Sequence, residues 1–254
     1  MPHVPSPDPA SAVAHKRRRR ALASAEMALS LAELLRTGAL LPDVLTAIAA
    51  RRRQADDPLA PLFERMARGV RDHGRSLFQV IEREKQQFTS RFLAFLALAN
   101  LSGQVFRACV LRLRGFVRHF NALPPEQGDD FPPMRDEVQE FCHLFGHLTR
   151  EKTSQTAIQK WLPRVFTARL TLPVTLVLGR FYDQGLLLSE AFQKTPPFDD
   201  PEMVLAVQAG EELNRVGDEL IELADWLEQR HLLAERMRWN DLVLASGDLP
   251  RLDS

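Results

Sequence analysis

His143 and His147 stand four residues apart in an apolar run, with Glu140 and Cys142 beside them. On a helix this spacing puts both imidazoles on one face, where they could share a metal ion. The order is His-Leu-Phe-Gly-His, without the glutamate of a zinc-protease motif, and no second cluster has ligand spacing. Histidines at a surface or a core edge are the other reading. A metal-dependent hydrolase would rest on these two residues alone, so we expect no metal site and no cofactor. Paired acids occur at Glu211-Glu212 and Asp218-Glu219, but helix neighbours point in different directions, which does not suit general acid–base work. They read as solvated or interdomain faces. Without a Gly-rich phosphate loop, a nucleophile elbow or a cysteine–histidine arrangement, the chain is not expected to be an enzyme.

Lys16, Arg17, Arg18, Arg19 and Arg20 form five consecutive cations. Such a segment can grip phosphates or an anionic membrane surface, at about 1 kcal/mol per charge near that surface. Arg51, Arg52 and Arg53 could add to it. The competing reading is a solubilising tail, since no aromatic residue is interleaved for base stacking.

The elements that must position these residues are helices. The 254 residues are 45% apolar and 26% charged, with one Tyr and few β-branched runs. Abundant Ala, Leu, Arg and Glu make the fold class all-α. Cys109 and Cys142 are the only cysteines, both in apolar helical context, and nothing argues for an oxidising compartment. The longest uncharged stretch, Phe92 to Phe106, contains Asn100, Ser102, Gly103 and Gln104 and falls short of a membrane span. Met1 to Ala14 lacks the apolar core of a signal peptide.

Helix signals come in order. Met27, Leu31, Leu34 and Leu35 mark a first helix stopped by Gly38, and Pro42 opens a second. Asp56-Asp57-Pro58 announces a third that ends at Gly74, Ser76 caps a short fourth, and Thr89 or Ser90 starts a fifth. A sixth runs from Val105 to Val117. Beyond a proline-rich loop the order repeats, with helices around Phe141 to Leu148, Ile158 and Trp161, Leu176 to Phe181, and Ser189 to Lys194. Asp199-Asp200-Pro201 starts the next, and Val216 to Leu227 stripes the last. Pro173 predicts a third helix of the second set that is kinked or starts late. Gly74 and Gly185 lie 111 residues apart, and at that offset Ala99-Asn100-Leu101-Ser102-Gly103 overlies Gly210-Glu211-Glu212-Leu213-Asn214. This echo predicts two tandem six-helix bundles. The expected boundaries are a disordered basic arm over 1–23, a first unit over 24–121, a linker over 122–133, a second unit over 134–231 and a tail over 232–254.

Leu34-Leu35-Arg36-Thr37-Gly38-Ala39-Leu40-Leu41-Pro42-Asp43-Val44-Leu45 resembles the opening of the cytoplasmic domain of the inner-membrane platform protein of type II secretion and type IV pili, the F family. Gly74-Arg75-Ser76-Leu77 resembles its Gly-x-Ser-Leu turn, and Phe198 followed by Gly210-Glu211-Glu212 resembles its Phe, then Gly-Glu signature. The resemblance covers most of residues 26 to 231. It implies a six-helix bundle present twice, membrane helices beside the copies, and a scaffold linking an assembly ATPase to a growing pilus or pseudopilus. It also places Glu211 at a turn between packed helices, where a carboxylate can accept backbone hydrogen bonds and fix the interhelix angle. The chain departs from the family in three ways. Asn100 stands where the first glutamate would be, Leu213-Asn214 replaces Ser-Gly, and no membrane helix follows either copy.

Residues 1–127 carry 20 basic and 11 acidic side chains, residues 128–254 carry 13 and 22. That polarity could orient the chain on an acidic partner or let the halves attract each other. We expect a noncatalytic, cytoplasmic scaffold or adaptor, with peripheral contact to the inner membrane open to it, that binds the assembly ATPase or platform components. Gly74, Asn100, Gly185, Gly210 and Glu211 would be the partner-binding or structural motif, and Lys16 to Arg20 the anion contact. A homo-oligomer is compatible with this reading. The second reading is a nucleic-acid-binding regulator that uses the arginine run.

Overall fold

The computed structural model describes residues 9–101 and 137–246. Among them the secondary structure is helical, with 11 α-helices and no strand. The first half holds α1 (Pro9–Thr37), α2 (Leu41–Gln54), α3 (Ala60–Arg71), α4 (Leu77–Arg83) and α5 (Ser90–Ala99). The second half holds α6 (Glu137–Arg150), α7 (Gln155–Trp161), α8 (Ala168–Leu178), α9 (Leu188–Gln193), α10 (Pro201–Glu212) and α11 (Val216–Ser246). Short 3₁₀ turns cover Lys85–Gln87 and Leu162–Val165, and a π-helical turn covers Gly179–Asp183. The sixth helix expected from Val105 to Val117, Cys109 and the linker over 122–133 lie outside the described residues.

Local chemistry accounts for the helix starts. Ser76 accepts the Gln79 N–H while the Gln79 side chain accepts the Ser76 N–H, a reciprocal capping box. Thr89 caps α5 through the Phe92 N–H, and Asp200 caps α10 through the Glu202 N–H with Pro201 next in line. At the other ends, Gly74 and Gly185 have φ of +59° and +70°, left-handed values that cost glycine little.

Three expectations change. The arm over 1–23 is not disordered throughout, because α1 begins at Pro9 and carries the arginine run within it. Ala-rich sequence flanks those arginines, and both are strong helix formers. The tail over 232–254 is helical as far as Ser246, as the last helix continues without a stop signal. Finally, of the two outcomes expected from Pro173, a kink or a late start, the late start does not occur in α8. It begins at Ala168 and contains Pro173, which lacks an N–H for the Arg169 carbonyl.

The buried apolar residues form one contiguous cluster that draws on both halves. Phe63, Phe88 and Phe92 fill the first half, and Phe141 sits at the centre of the second, with ring centroids 4.8 Å from Phe198, 5.3 Å from Phe145 and 6.1 Å from Phe192. Each buried phenylalanine contributes about 1.5–3 kcal/mol by leaving water. Helix α6 packs along α11, α2 along α3, and α10 along both α9 and α11. Helix α5 crosses into the second half, where it meets α7 and the Leu162–Val165 turn.

Candidate functional site

The turn between α10 and α11 brings the Gly210-Glu211 motif against α9. Helix α10 closes with Asn214 at φ +55° and the Arg215 N–H donating to the Gly210 carbonyl at 2.7 Å, a left-handed stop. Gly210 is buried, and a Cβ there would lie 2.9 Å from the Glu219 side chain and 3.1 Å from the Val216 Cα. A bare backbone is what lets α11 fold back so closely. Glu211 is thereby aimed at the start of α9. Its Oε1 accepts the Leu188 N–H at 2.5 Å and the Ser189 N–H at 3.4 Å, and its Oε2 accepts the Ser189 hydroxyl at 2.5 Å. Those N–H groups begin α9 and have no partner within it, so the carboxylate supplies what the helix cannot. Gly185 turns the chain into α9 from the other side.

The first half is built differently at the matching place. Asn100 is exposed as the C-cap of α5, and α4 uses its own Ser76–Gln79 box. Gly74 precedes that box, with open space where a Cβ would stand. Helix α4 packs on α3, whereas α9 packs on α10. Of the motif residues, Gly185, Gly210 and Glu211 therefore share one site, while Gly74 and Asn100 lie in the first half at separate turns.

The five cations of α1 do not form one free surface. Lys16 and Arg18 are exposed. Arg19 and Arg20 are half-buried, with Arg19 donating to the Pro58 carbonyl at 3.2 Å and Arg20 to the Gln86 carbonyl at 2.8 Å. Arg17 lies on the same helix. Arg51 and Arg52 turn to the Glu26 carboxylate, which is 8% exposed, and Arg52 also meets Asp57. For Asp57, burial pushes the carboxyl up, but the Leu59 N–H, the hydrogen bond and charge of Arg52, and the charge of Arg19 outweigh it and hold the group below its ordinary value.

His143 and His147 do come together, with Nε2 atoms 3.3 Å apart and rings edge to face. Among the described residues, no group of three or more His, Cys, Asp or Glu side chains could hold a metal ion. The second acid pair has basic neighbours that the sequence did not reveal. Asp218 lies 3.7 Å from Arg150 and Glu219 3.8 Å from Arg215. Among the described residues, no helix is long and apolar enough to cross a membrane.

Sequence reading missed the polar joint between the halves. Arg91 is 5% exposed, donates from Nε to the Val165 carbonyl at 3.0 Å, and reaches Glu137 Oε1 at 3.4 Å. Glu137 also accepts the Thr167 N–H at 2.7 Å and the Thr167 hydroxyl at 2.5 Å. One signal was present in the sequence, since Glu26 and Glu137 share the 111-residue offset. Comparison with protein-family models, curated proteins and solved structures gives no match to this chain.

Proposed function

We propose that the chain is a noncatalytic scaffold or adaptor built from two six-helix units of the secretion and pilus platform type. In this reading it acts in the cytoplasm, peripheral to the inner membrane, and binds the assembly ATPase or a platform component. The observation that carries the reading is the Glu211 clasp, in which the Gly-Glu signature holds the short helix that follows the Gly185 turn. Three pairs at the 111-residue offset add support. They are the left-handed Gly74 and Gly185, the N-caps Thr89 and Asp200, and the acceptors Glu26 and Glu137. The first two pairs keep the same local job, which is what duplicated units would retain, whereas Glu26 binds Arg51 and Arg52 and Glu137 binds Thr167 and Arg91.

A scaffold of this kind needs rigid helical faces more than reactive groups, and the clasp supplies rigidity at a helix junction. The arginine run is less well suited to nucleic acid, because Arg19 and Arg20 bond to carbonyls of the fold. Affinity capture of the full chain from native lysate of its source tests the proposal. An assembly ATPase or platform component should be recovered with it and lost from a Glu211→Ala bait. Capture that returns neither component would overturn the reading. So would DNA binding that is sequence-selective and collapses between low and moderate salt.

A further inference from the structure

A groove of about 1430 Å³ runs between α4 and α5 on one side and Trp161, Phe166 and α8 on the other. Its floor is apolar. Phe78, Leu93, Ala97 and Trp161 are half-buried, and Leu172 is 64% exposed. Its rim is basic, with Arg75, Arg83 and Arg164 lacking an acidic partner among the described residues. Glu82 is the one acid among the described residues that line it, and Lys85 neutralises that acid at 2.6 Å. The groove opens where the two halves differ. In the second half Glu211 ties α10 to α9, whereas in the first Asn100 makes no such tie and lines the groove.

We propose that this groove docks an acidic amphipathic helix from a partner protein. A helix about 10 Å wide would fill the volume with roughly three turns, or about 12 residues. Apolar residues at i, i+3 or i+4, and i+7 would lie on Leu93, Ala97 and Leu172, and carboxylates along both edges would meet Arg75, Arg83 and Arg164. Trp161, flanked by Lys160 at 4.8 Å and Arg164 at 5.4 Å from its ring, would anchor the middle. A bilayer surface cannot follow a cleft, and a floor in which Phe78 and Trp161 alternate with Leu93, Ala97 and Leu172 is not an unbroken series of planes for stacked bases. The inference rests on the groove alone and does not depend on which machinery the protein serves.

Panning a phage-displayed library of random peptides of about 16 residues against the full chain tests this. Enriched peptides should carry the apolar helical spacing with Asp or Glu on its flanks. Their affinity should fall at least about tenfold for Leu172→Glu and for Arg164→Glu, and stay unchanged for Leu205→Glu, an exposed position on α10 outside the groove. All three positions are exposed, so circular dichroism should match the parent chain. Failure to enrich any peptide would overturn the proposal, as would selected peptides that lack acids or bind the groove variants equally well. Groove variants that instead lose binding to anionic vesicles or single-stranded DNA would assign the surface to those ligands and overturn it too.

Discussion

At Glu211 a single carboxylate satisfies three donors at the start of a six-residue helix that cannot stabilise itself. Glu211→Ala should therefore cost about 2 kcal/mol in urea unfolding, within the range for hydrogen bonds to a charged acceptor. Glu211→Gln, which keeps an acceptor oxygen, should lose less. A change for Glu211→Ala within about 0.5 kcal/mol, as at an ordinary surface site, would mean the clasp is idle. Asp57 makes a prediction with a sign. Its folded carboxyl titrates below its ordinary value of 3.8, so the charged form stabilises the fold. That contribution is complete above 3.8 and disappears as the pH falls below it through the lower folded value. Asp57→Asn should flatten this part of the stability profile, and acid unfolding curves of equal slope for both proteins would refute it. Glu211 was legible because its motif and turn are local. Arg91 was not, since its partners Val165 and Glu137 lie 74 and 46 residues away.

Helix order was legible for the same reason that caps are cheap to read. Ser76, Thr89, Asp200 and Pro42 each act within a turn of themselves, and the elements they announce are present. Helix extent was harder, because Ala and Arg around the basic run favour helix without marking where it begins, and α11 contains no glycine or proline after Gly217 to end it. Packing between elements was hidden as well. Where α6 crosses α11, a Cβ on Gly146 would lie 2.8 Å from the Gly217 carbonyl oxygen, and one on Gly217 would lie 2.9 Å from the Arg150 backbone nitrogen. Backbone cannot swing aside as a side chain can. Gly217→Ala should cost about 1–3 kcal/mol through forced separation of the two helices. Gly74→Ala has free space and pays only for its left-handed φ, about 1 kcal/mol. Thermal melts that rank Gly74→Ala as the more damaging would contradict the close crossing.

The two halves share one apolar cluster, so the described molecule should lose its structure in a single urea transition followed equally by helical signal and tryptophan fluorescence. The polar joint within that cluster decides how tightly the halves are coupled. Arg91 and Glu137 are 5% and 12% exposed, so removing the cation alone leaves a carboxylate in a poor solvent. Glu137 would keep its two bonds from Thr167, which limits the penalty. Arg91→Met should thus cost about 3 kcal/mol, near the low end for breaking a buried pair. Glu137→Gln keeps an acceptor for Thr167 without the charge and should cost less. The double variant should then be more stable than the sum of the two losses predicts, by at least about 1 kcal/mol, because the second change removes the orphaned charge made by the first. Strictly additive losses would show that Arg91 and Glu137 do not sense each other. Two separate transitions in the parent chain would show that the shared core does not bind the halves into one unit.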